Sequence, residues 1–158
     1  GYQAIHNPWW QHLPFKLSKG EILKVVLDTP ITAMLNWRQW LVPDSSDGTQ
    51  ALLGSNYAWG DFSSPESVEP SQEARDYLIM RLNTNTTLKA DVIDHKAGIR
   101  PTPTQRFPFV GPHKQLSNIY CFNGFGSKGC HTIPYYSQLL ADHLIDQSPL
   151  PNEITQWL

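Results

Sequence analysis

The sequence predicts an α+β fold with a mixed, mainly antiparallel sheet of about six strands, one helix across a face of that sheet, and a C-terminal strand, turn and helix. Two observations predict this fold. Short apolar runs separated by turn residues fill most of the 158 residues, and only two segments carry the spacing of an amphipathic helix. The length suits one domain or two small lobes that share a core.

Strands dominate the first part of the chain. Between Glu21 and Val42, apolar and aromatic residues are broken by short polar stretches, which predicts two or three strands. Residues 43–48 (PDSSDG) are turn formers, and residues 49–59 (TQALLGSNYAW) return to strand composition. An antiparallel meander is therefore expected, followed by a loop over residues 61–70.

The first helix is predicted over residues 72–82. Ser71 is a good N-cap, and Glu73 places an acid in the first turn, where the helix dipole favours it. One stripe of this helix is expected to face the core. The stripe consists of Ala74, Tyr77, Leu78 and Leu82.

The second half of the chain contains strands, prolines and a final helix. A strand with a polar interruption at residues 94–96 is predicted over residues 88–99, and prolines disfavour helix in the stretch that follows. The last third predicts, in order, a strand over 118–123, a glycine turn over 124–129, a helix over 132–146 and a proline-broken surface coil over 147–158. The apolar face of that helix would consist of Tyr136, Leu139, Leu140, His143 and Leu144.

Charge and composition exclude several classes of function. The formal charge is −2 and charged residues make up 16% of the chain, so a nucleic-acid-binding surface is not expected. No apolar run approaches the ~20 residues of a membrane span, and the first ten residues lack the features of a signal peptide. Cys121 and Cys130 belong to no zinc pattern, and the six histidines show no metal-ligand spacing. A reduced, cytoplasmic protein without a metal is therefore expected.

The glycine turn carries the first motif with chemical meaning. Residues 124–129 (GFGSKG) match G-x-G-x-x-G between a predicted strand and a predicted helix. A dinucleotide fingerprint would need a further strand and an acidic residue about 20 positions on, whereas only a short tail follows. What remains is a turn that admits a ligand close to the backbone, at a helix end that favours an anion or an electron-rich ring edge. The alternative is a plain tight turn.

Arg100 is the second candidate. It ends a predicted strand in the sequence AGIRPTPT, and the proline after it restricts its backbone. A guanidinium held in this way suits bidentate contact with a carboxylate. The alternative is a surface arginine in a solvent-exposed ion pair.

These motifs occur in a recognisable order: AGIRPTPTQRFPFVG, then LSNIYCFNGFGSKG, then a helix opening HTIPYYSQLLADHLI. This order resembles the C-terminal end of FAD-dependent oxidoreductases of the D-amino-acid oxidase, glycine oxidase and DadA-like family. Upstream, LPFKLSKGEIL resembles the entry into the substrate domain of that family, and LLGSNYAW resembles the strand that passes under the flavin. The likeness covers nearly the whole chain.

The resemblance implies a role for each matching residue. Arg100, in the family's G-[IL]-R-P motif, would grip the substrate carboxylate. Tyr57 and Trp59 would line the substrate pocket, although ordinary core aromatics are the alternative. The glycine turn would line the pyrimidine end of the flavin, and the helix after it would stabilise negative charge on the reduced ring. The cofactor-binding residues would be Phe125, Gly126, Ser127, Lys128, Gly129 and Cys130.

The sequence departs from the family pattern in two places. Glycine oxidases carry a second carboxylate-binding arginine in the glycine turn, whereas Ser127 stands at that position here. Lys128 or His131 could replace it, the alternative being a solvated lysine and a helix-capping histidine. In addition, nothing in residues 1–97 resembles the N-terminal fingerprint that holds the ADP half of FAD.

The sequence is therefore expected to be a C-terminal fragment. Residues 1–97 would form the substrate-binding domain, and residues 98–158 a closing segment that docks onto an absent N-terminal, ADP-binding Rossmann part. The fragment alone is expected to be inactive and not to retain FAD. Apolar surface left for the absent domain is expected to be exposed and to favour artificial dimers.

The full-length protein would oxidise a primary or secondary amine, with an amino acid as the expected substrate, by hydride transfer from Cα to flavin N5. No catalytic base is assigned. The alternative is a non-catalytic, aromatic-rich module that binds sugars or peptides. Its platform would consist of Trp9, Trp10, Trp37, Trp40 and Trp59.

Overall fold

The structure, a computed structural model, describes residues 1–62 and 65–158, with the backbone alone at 65–66. Over these residues the chain forms eight strands and three α-helices. The strands are β1 (Phe15–Leu27), β2 (Leu35–Asn36), β3 (Trp40–Pro43), β4 (Gln50–Gly54), β5 (Ala58–Trp59), β6 (Ala90–Pro103), β7 (Phe109–Pro112) and β8 (Tyr120–Asn123). The helices are α1 (Gln72–Asn85), α2 (Gly129–Asp146) and α3 (Asn152–Thr155).

Six of the described strands form one sheet and two form another. The larger sheet has the order β2-β3-β4-β1-β5, and β6 also pairs with β1. Strand β1 runs antiparallel to β4 with Ile22 opposite Gly54, and β3 runs antiparallel to both β2 and β4. Strands β7 and β8 form an antiparallel pair. The predicted α+β class with a mainly antiparallel sheet is confirmed. Of the predicted loop at 61–70, residues 63 and 64 lie outside the described residues, and Pro65–Val68 form a 3₁₀ turn.

The chain divides into two compact units. Residues Lys19–Ile99 form the sheet unit, and Gly1–Ser18 together with Arg100–Leu158 form the C-terminal unit. The predicted division after residue 97 grouped the first residues with the sheet. They lie instead in the C-terminal unit, because Trp10 packs with Phe109 there. The functional roles predicted for the two segments remain predictions.

Helix α1 covers one face of the sheet, as predicted. Leu23, Val25 and Leu27 alternate along β1 and pack with Leu78 and Leu82 of the helix. Burial of such side chains contributes about 1.5–3 kcal/mol each. Leu41, Ala51 and Leu53 complete this core.

The ends of α1 follow local rules. The Ser71 hydroxyl accepts a hydrogen bond from the Ala74 amide at 3.3 Å, so the predicted N-cap is confirmed. The helix continues three residues beyond its predicted end at residue 82, to Asn85. Tyr77 was predicted to face the core but is exposed, and its hydroxyl accepts from Nε2 of Gln39 at 3.1 Å. A polar ring tip explains this placement at the rim.

The predicted turn before β4 is held by Asp47. Its carboxylate accepts from the Ser45 hydroxyl at 2.6 Å, and from the amide and hydroxyl of Thr49 at 3.0 and 2.8 Å. These hydrogen bonds lower the pKa of Asp47 to about 2. Gly48 has a φ of +72°, a left-handed conformation that glycine adopts in a turn without steric cost.

The C-terminal unit contains both ends of the chain and buries the C-terminal one. Ile154 and Leu158 are buried, so the predicted surface coil is wrong: the tail contains α3 and belongs to the core. A Cβ at Gly111 of β7 would lie 3.2 Å from Cδ1 of Leu158, which shows how closely the tail packs. The prolines at 149 and 151 favoured a coil, although Ile154 and Leu158 stand at helical spacing.

Helix α2 begins at Gly129, three residues before its predicted start. Gly129 and Cys130 are weak helix formers, so the sequence gives no local signal of the earlier start. Pro134 lies inside α2. Among the described residues, none of the helices combines the length and the hydropathy that a membrane crossing requires.

Candidate functional site

Arg100 lies near the end of β6, where the C-terminal unit resumes. Its side chain is half-buried, and the Nη1 atom of the guanidinium is buried. Pro101 restricts the arginine backbone to extended conformations, in agreement with its place in a strand. A partly desolvated guanidinium on a rigid strand attracts a carboxylate more strongly than an exposed one does.

The glycine turn has the backbone conformation that its glycines permit. Gly124 and Gly126 have φ values of +85° and +54°. The Lys128 amide donates to the Phe125 carbonyl at 3.1 Å and closes the turn. A Cβ at Gly124 would lie 3.1 Å from Cδ2 of Phe109, so this position also lacks space. The turn therefore needs glycine on backbone grounds at both positions.

Substitution of Gly124 tests this requirement. Gly124→Ala is expected to lower the free energy of unfolding by about 1–3 kcal/mol, since alanine is strained at positive φ. The matched control is Gly98→Ala, because a Cβ at Gly98 would meet nothing within 4 Å. We expect this control to change stability by less than about 1 kcal/mol. Urea unfolding followed by circular dichroism measures both, and equal midpoints for the two variants would contradict the assignment.

The glycine turn lies against the strand that carries Arg100. A Cβ at Gly126 would lie 3.6 Å from Cγ2 of Thr102. Side chains alternate along a strand, so Thr102 and Arg100 share one face of β6. The Thr102 hydroxyl lies 3.1 Å from that of buried Ser18, which fixes this part of the strand against β1. Arg100 therefore lies two residues before Thr102, the residue of β6 that the glycine turn contacts.

The N-terminus of α2 follows directly from this turn. Lys128 is the N-cap residue but forms no side-chain cap, and the first turn of α2 contains no acidic residue. The 18-residue helix therefore presents its positive dipole end without a compensating side chain of its own. Such an end favours an anion or the electron-rich edge of a ring.

The polar side chains of the turn and of the start of α2 are exposed to solvent. Ser127, Lys128, Cys130 and His131 are all exposed. The proposed replacement of the missing second arginine by Lys128 or His131 stays a prediction, since no contact of either side chain with another residue singles it out.

Tyr57 and Trp59 lie in the sheet unit, at β5. Their rings are in edge contact, with centroids 4.9 Å apart, and their exposed fractions are 42% and 50%. The alternative of ordinary core aromatics does not hold for this chain, because both rings have large exposed surfaces. Two exposed rings in contact form a surface suited to a flat or apolar ligand.

The two cysteines differ in environment. Cys121 is buried, and this burial raises its pKa to about 12, whereas Cys130 is exposed. Neither forms a disulfide. In the part of the chain that the structure describes, His, Cys, Asp and Glu side chains nowhere form a group of three or more that could hold a metal ion.

An aromatic strip joins β8, the glycine turn and α2. Ring centroids of Phe122 and Phe125 are 4.7 Å apart, those of Phe125 and Tyr136 are 6.1 Å apart, and those of Tyr136 and Tyr135 are 5.1 Å apart. Burial, followed by the nearby Tyr135 and Glu153, raises the pKa of Tyr136. No described residue of α2 is buried, and Ile145 is 84% exposed. The helix thus exposes apolar surface in this chain, as expected.

Sequence reasoning missed a buried polar cluster in the sheet unit. The carboxylate of Glu21 accepts from the amide and hydroxyl of Ser71 at 2.7 and 2.8 Å, and Nε2 of His95 lies 2.9 Å from it. Nζ of Lys19 lies 3.3 Å from the same carboxylate. His95 belongs to the polar stretch at 94–96 of the strand predicted over residues 88–99, and β6 runs through this stretch as one strand. The available signal was Lys19 and Glu21, two oppositely charged residues two positions apart that share one face of β1.

The fold and the turn define an α+β protein with a glycine turn at a helix N-terminus, beside an arginine on a strand. Residues 6–143 match the family model described as FAD dependent oxidoreductase, DAO. The match includes most of the chain. The chain therefore belongs to this family of FAD dependent oxidoreductases.

Solved structures share the fold. Iminodiacetate oxidase from Chelativorans sp. BNC1 is 18% identical with a TM-score of 0.70, and the match covers 98% of this chain and 44% of that one. Glycine oxidase from Geobacillus kaustophilus is 21% identical with a TM-score of 0.70, covering 95% and 40%. Glycine oxidase from Bacillus cereus is 20% identical, again with a TM-score of 0.70, covering 92% and 39%. This chain spans about two fifths of the length of these structures.

Proposed function

We propose that this chain forms the substrate-binding part and closing segment of a flavoenzyme that oxidises an amine carrying a carboxylate. The observation that carries the proposal is the position of Gly126 against Thr102, which shares a face of β6 with Arg100. A cation for the carboxylate and a turn open to a ring thus occur side by side in one compact unit. The family membership and the names of the similar oxidases support the same function.

The residues of the turn fit FAD. Gly124 and Gly126 have positive φ and no side chain, so a flat ring can approach the backbone. The uncapped end of α2 offers partial positive charge at the same place. Phe125 to Cys130 would hold the pyrimidine end of the ring. When bound, FAD supplies the hydride acceptor.

The side chains of this chain would bind and orient the substrate. Arg100 would donate two hydrogen bonds to the substrate carboxylate in a bidentate ion pair and so fix the direction of the Cα–H bond. Tyr57 and Trp59 would cover the apolar part of the substrate and exclude water. An exposed Ser127 in place of a second arginine leaves Arg100 as the main carboxylate anchor.

A larger protein is part of this proposal. The similar oxidases are more than twice as long as this chain. We infer that an N-terminal FAD-binding domain covers the exposed surface of α2, and that residues 98–158 act as the closing segment.

Flavin reduction tests the proposal. The FAD-loaded, longer protein would be mixed without oxygen with glycine, N-substituted glycines and D-amino acids, and absorbance of the oxidised flavin followed. We expect at least one of these to bleach the flavin, and the matching amines that lack a carboxylate to react much more slowly. Methylamine is the control for glycine, and ethylamine is the control for D-alanine. The proposal is contradicted if none of the carboxylate-bearing compounds bleaches the flavin, or if amines with and without the carboxylate react at equal rates.

One observation favours the alternative of a sugar- or peptide-binding module, namely the exposed Tyr57–Trp59 pair. Trp10, however, is buried in the core of the C-terminal unit and cannot join a platform. Glycan binding by the isolated chain, lost in Trp59→Ala, would favour the module over the enzyme.

A further inference from the structure

The carboxylate of Glu21 is the most enclosed charged group in the sheet unit, with an exposed fraction of 1%. It receives hydrogen bonds from Ser71 at the start of α1 and contacts His95 of β6 and Lys19 of its own strand. Three elements thus meet at one buried group. Such a group stabilises the fold only if donors and charges compensate its burial. Here the amide and hydroxyl of Ser71 donate to its two oxygens, and Nζ of Lys19 and Nε2 of His95 lie 3.3 and 2.9 Å from them.

The link between β4 and β5 lies close to this group. Both strands pair with β1, and residues 55–57 join them. In this link, Oδ1 of Asn56 accepts a hydrogen bond from the Glu21 amide at 2.7 Å. Asn56 directly precedes Tyr57, so the start of the aromatic segment is attached to Glu21.

The other end of the same connection is attached to the same two residues of β1. Nζ of Lys19 donates to the Glu69 carbonyl at 2.5 Å, and the Glu21 carboxylate holds the Ser71 amide and hydroxyl. The stretch between Asn56 and Ser71 therefore begins and ends on Lys19 and Glu21. Both attachments depend on the geometry of one short piece of strand.

We propose that Glu21 is a positioning residue for the Tyr57–Trp59 pair. Its backbone amide holds the start of the connection that carries the two rings, at Asn56, and its ionised carboxylate holds the end of that connection, at Ser71. The two attachments together set where the rings lie. The meaning of this position for substrate binding rests on the proposed function, whereas the contacts themselves do not.

The attachment at Ser71 depends on the negative charge of the Glu21 carboxylate. Ionised glutamate offers only acceptors, whereas glutamine at this site would turn an NH₂ group toward Ser71, Lys19 or His95. Around the carboxylate, β1 contributes the charged Lys19, β6 contributes the titratable His95, and the start of α1 contributes the uncharged Ser71. Burial raises the pKa of Glu21, but the hydrogen bonds from Ser71 and the charge of Lys19 together lower this pKa below its ordinary value. The contribution to stability is therefore present above the pKa of an unfolded glutamate and is lost as the pH falls through the lowered value.

Fluorine NMR of the chain labelled with 5-fluorotryptophan tests the proposal. The Trp59 resonance is assigned by its loss in Trp59→Phe. We expect Glu21→Gln to shift or split the Trp59 resonance while that of Trp37, in the same unit, keeps its position. The matched control is Glu73→Gln, the same substitution at an exposed acid in the first turn of α1, which should leave both resonances unchanged.

A titration separates positioning by charge from a general loss of structure. On acidification, the wild-type Trp59 resonance should move as Glu21 becomes protonated, and this movement should be absent in Glu21→Gln. If Glu21→Gln does not fold, Asn56→Ala removes the attachment in the link between β4 and β5, and should shift Trp59 but not Trp37. An unmoved Trp59 resonance in a folded Glu21→Gln or in Asn56→Ala overturns the proposal, as does an identical titration in wild type and Glu21→Gln. These readouts involve no catalysis, so an absence of amine oxidation would count against the proposed function alone.

Discussion

Arg100→Ala is expected to lower kcat/KM for a carboxylate-bearing amine by about 10²- to 10³-fold in the FAD-loaded enzyme, because truncation of one partner of a buried charge pair costs about 2–5 kcal/mol. The effect should appear mainly in KM if the ion pair forms equally in the bound substrate and in the transition state. FAD content should stay at the wild-type level, since in the proposed site the glycine turn, and not Arg100, would contact the ring. Steady-state kinetics and the flavin-to-protein absorbance ratio measure the two quantities.

Two variants serve as controls. Arg106→Ala removes the same side chain from an exposed position six residues later, where the guanidinium lies 5.9 Å from the Phe107 ring centroid, and should leave kcat/KM unchanged. Arg100→Lys keeps the charge but loses the fork, and should fall between wild type and alanine. Wild-type kinetics in Arg100→Ala, or parallel losses of FAD and activity, would show that Arg100 does not anchor the carboxylate.

Phe109→Ala is expected to lower the free energy of unfolding of the C-terminal unit by about 3–5 kcal/mol. Phe109 is fully buried, and its ring meets that of Phe15 edge to face with centroids 5.0 Å apart. Its removal leaves a cavity beneath Gly124, so the glycine turn loses its support as well. The urea midpoint of the wild-type and mutant chains provides the measurement.

The control for this loss is Phe122→Ala on the paired strand. Phe122 is a half-exposed ring that contacts Phe125, so its truncation should cost no more than about a third of the Phe109 effect. Comparable midpoints for the two variants would mean that the core of this unit is not built around Phe109. The two units can unfold in separate steps, and the transition of each is therefore fitted by itself.

Local patterns determined much of the sheet unit. Ser71 is an N-cap because its hydroxyl reaches an amide three residues on, and no distant contact is needed for that. The turn at residues 44–49 likewise follows from Asp47 and Gly48. The glycine turn at 124–129 was found in the sequence because positive φ at Gly124 and Gly126 has a direct signature in residue type.

Patterns that depend on distant partners were predicted less well. Ile154 and Leu158 were placed in a surface coil because nothing in their own segment shows the core that receives them. The start of helix α2 was predicted three residues too late, because Gly129 and Cys130 have low helix propensity and give no local signal of a helix start. The prediction of residues 1–18 as part of the sheet unit was made from order along the chain, whereas Trp10 packs with residues about a hundred positions later.

The amino-acid sequence alone was enough for the class of fold, the turn that would meet the flavin, the strand that leads to Arg100 and the family resemblance. All of these depend on residue types at short, regular separations, where backbone preference and periodicity act locally. Only the tertiary structure decided that Glu21, Ser71 and His95 meet, and that Gly126 lies against Thr102. Contacts between residues far apart in the chain depend on strand order and register, and neither is encoded in any single segment.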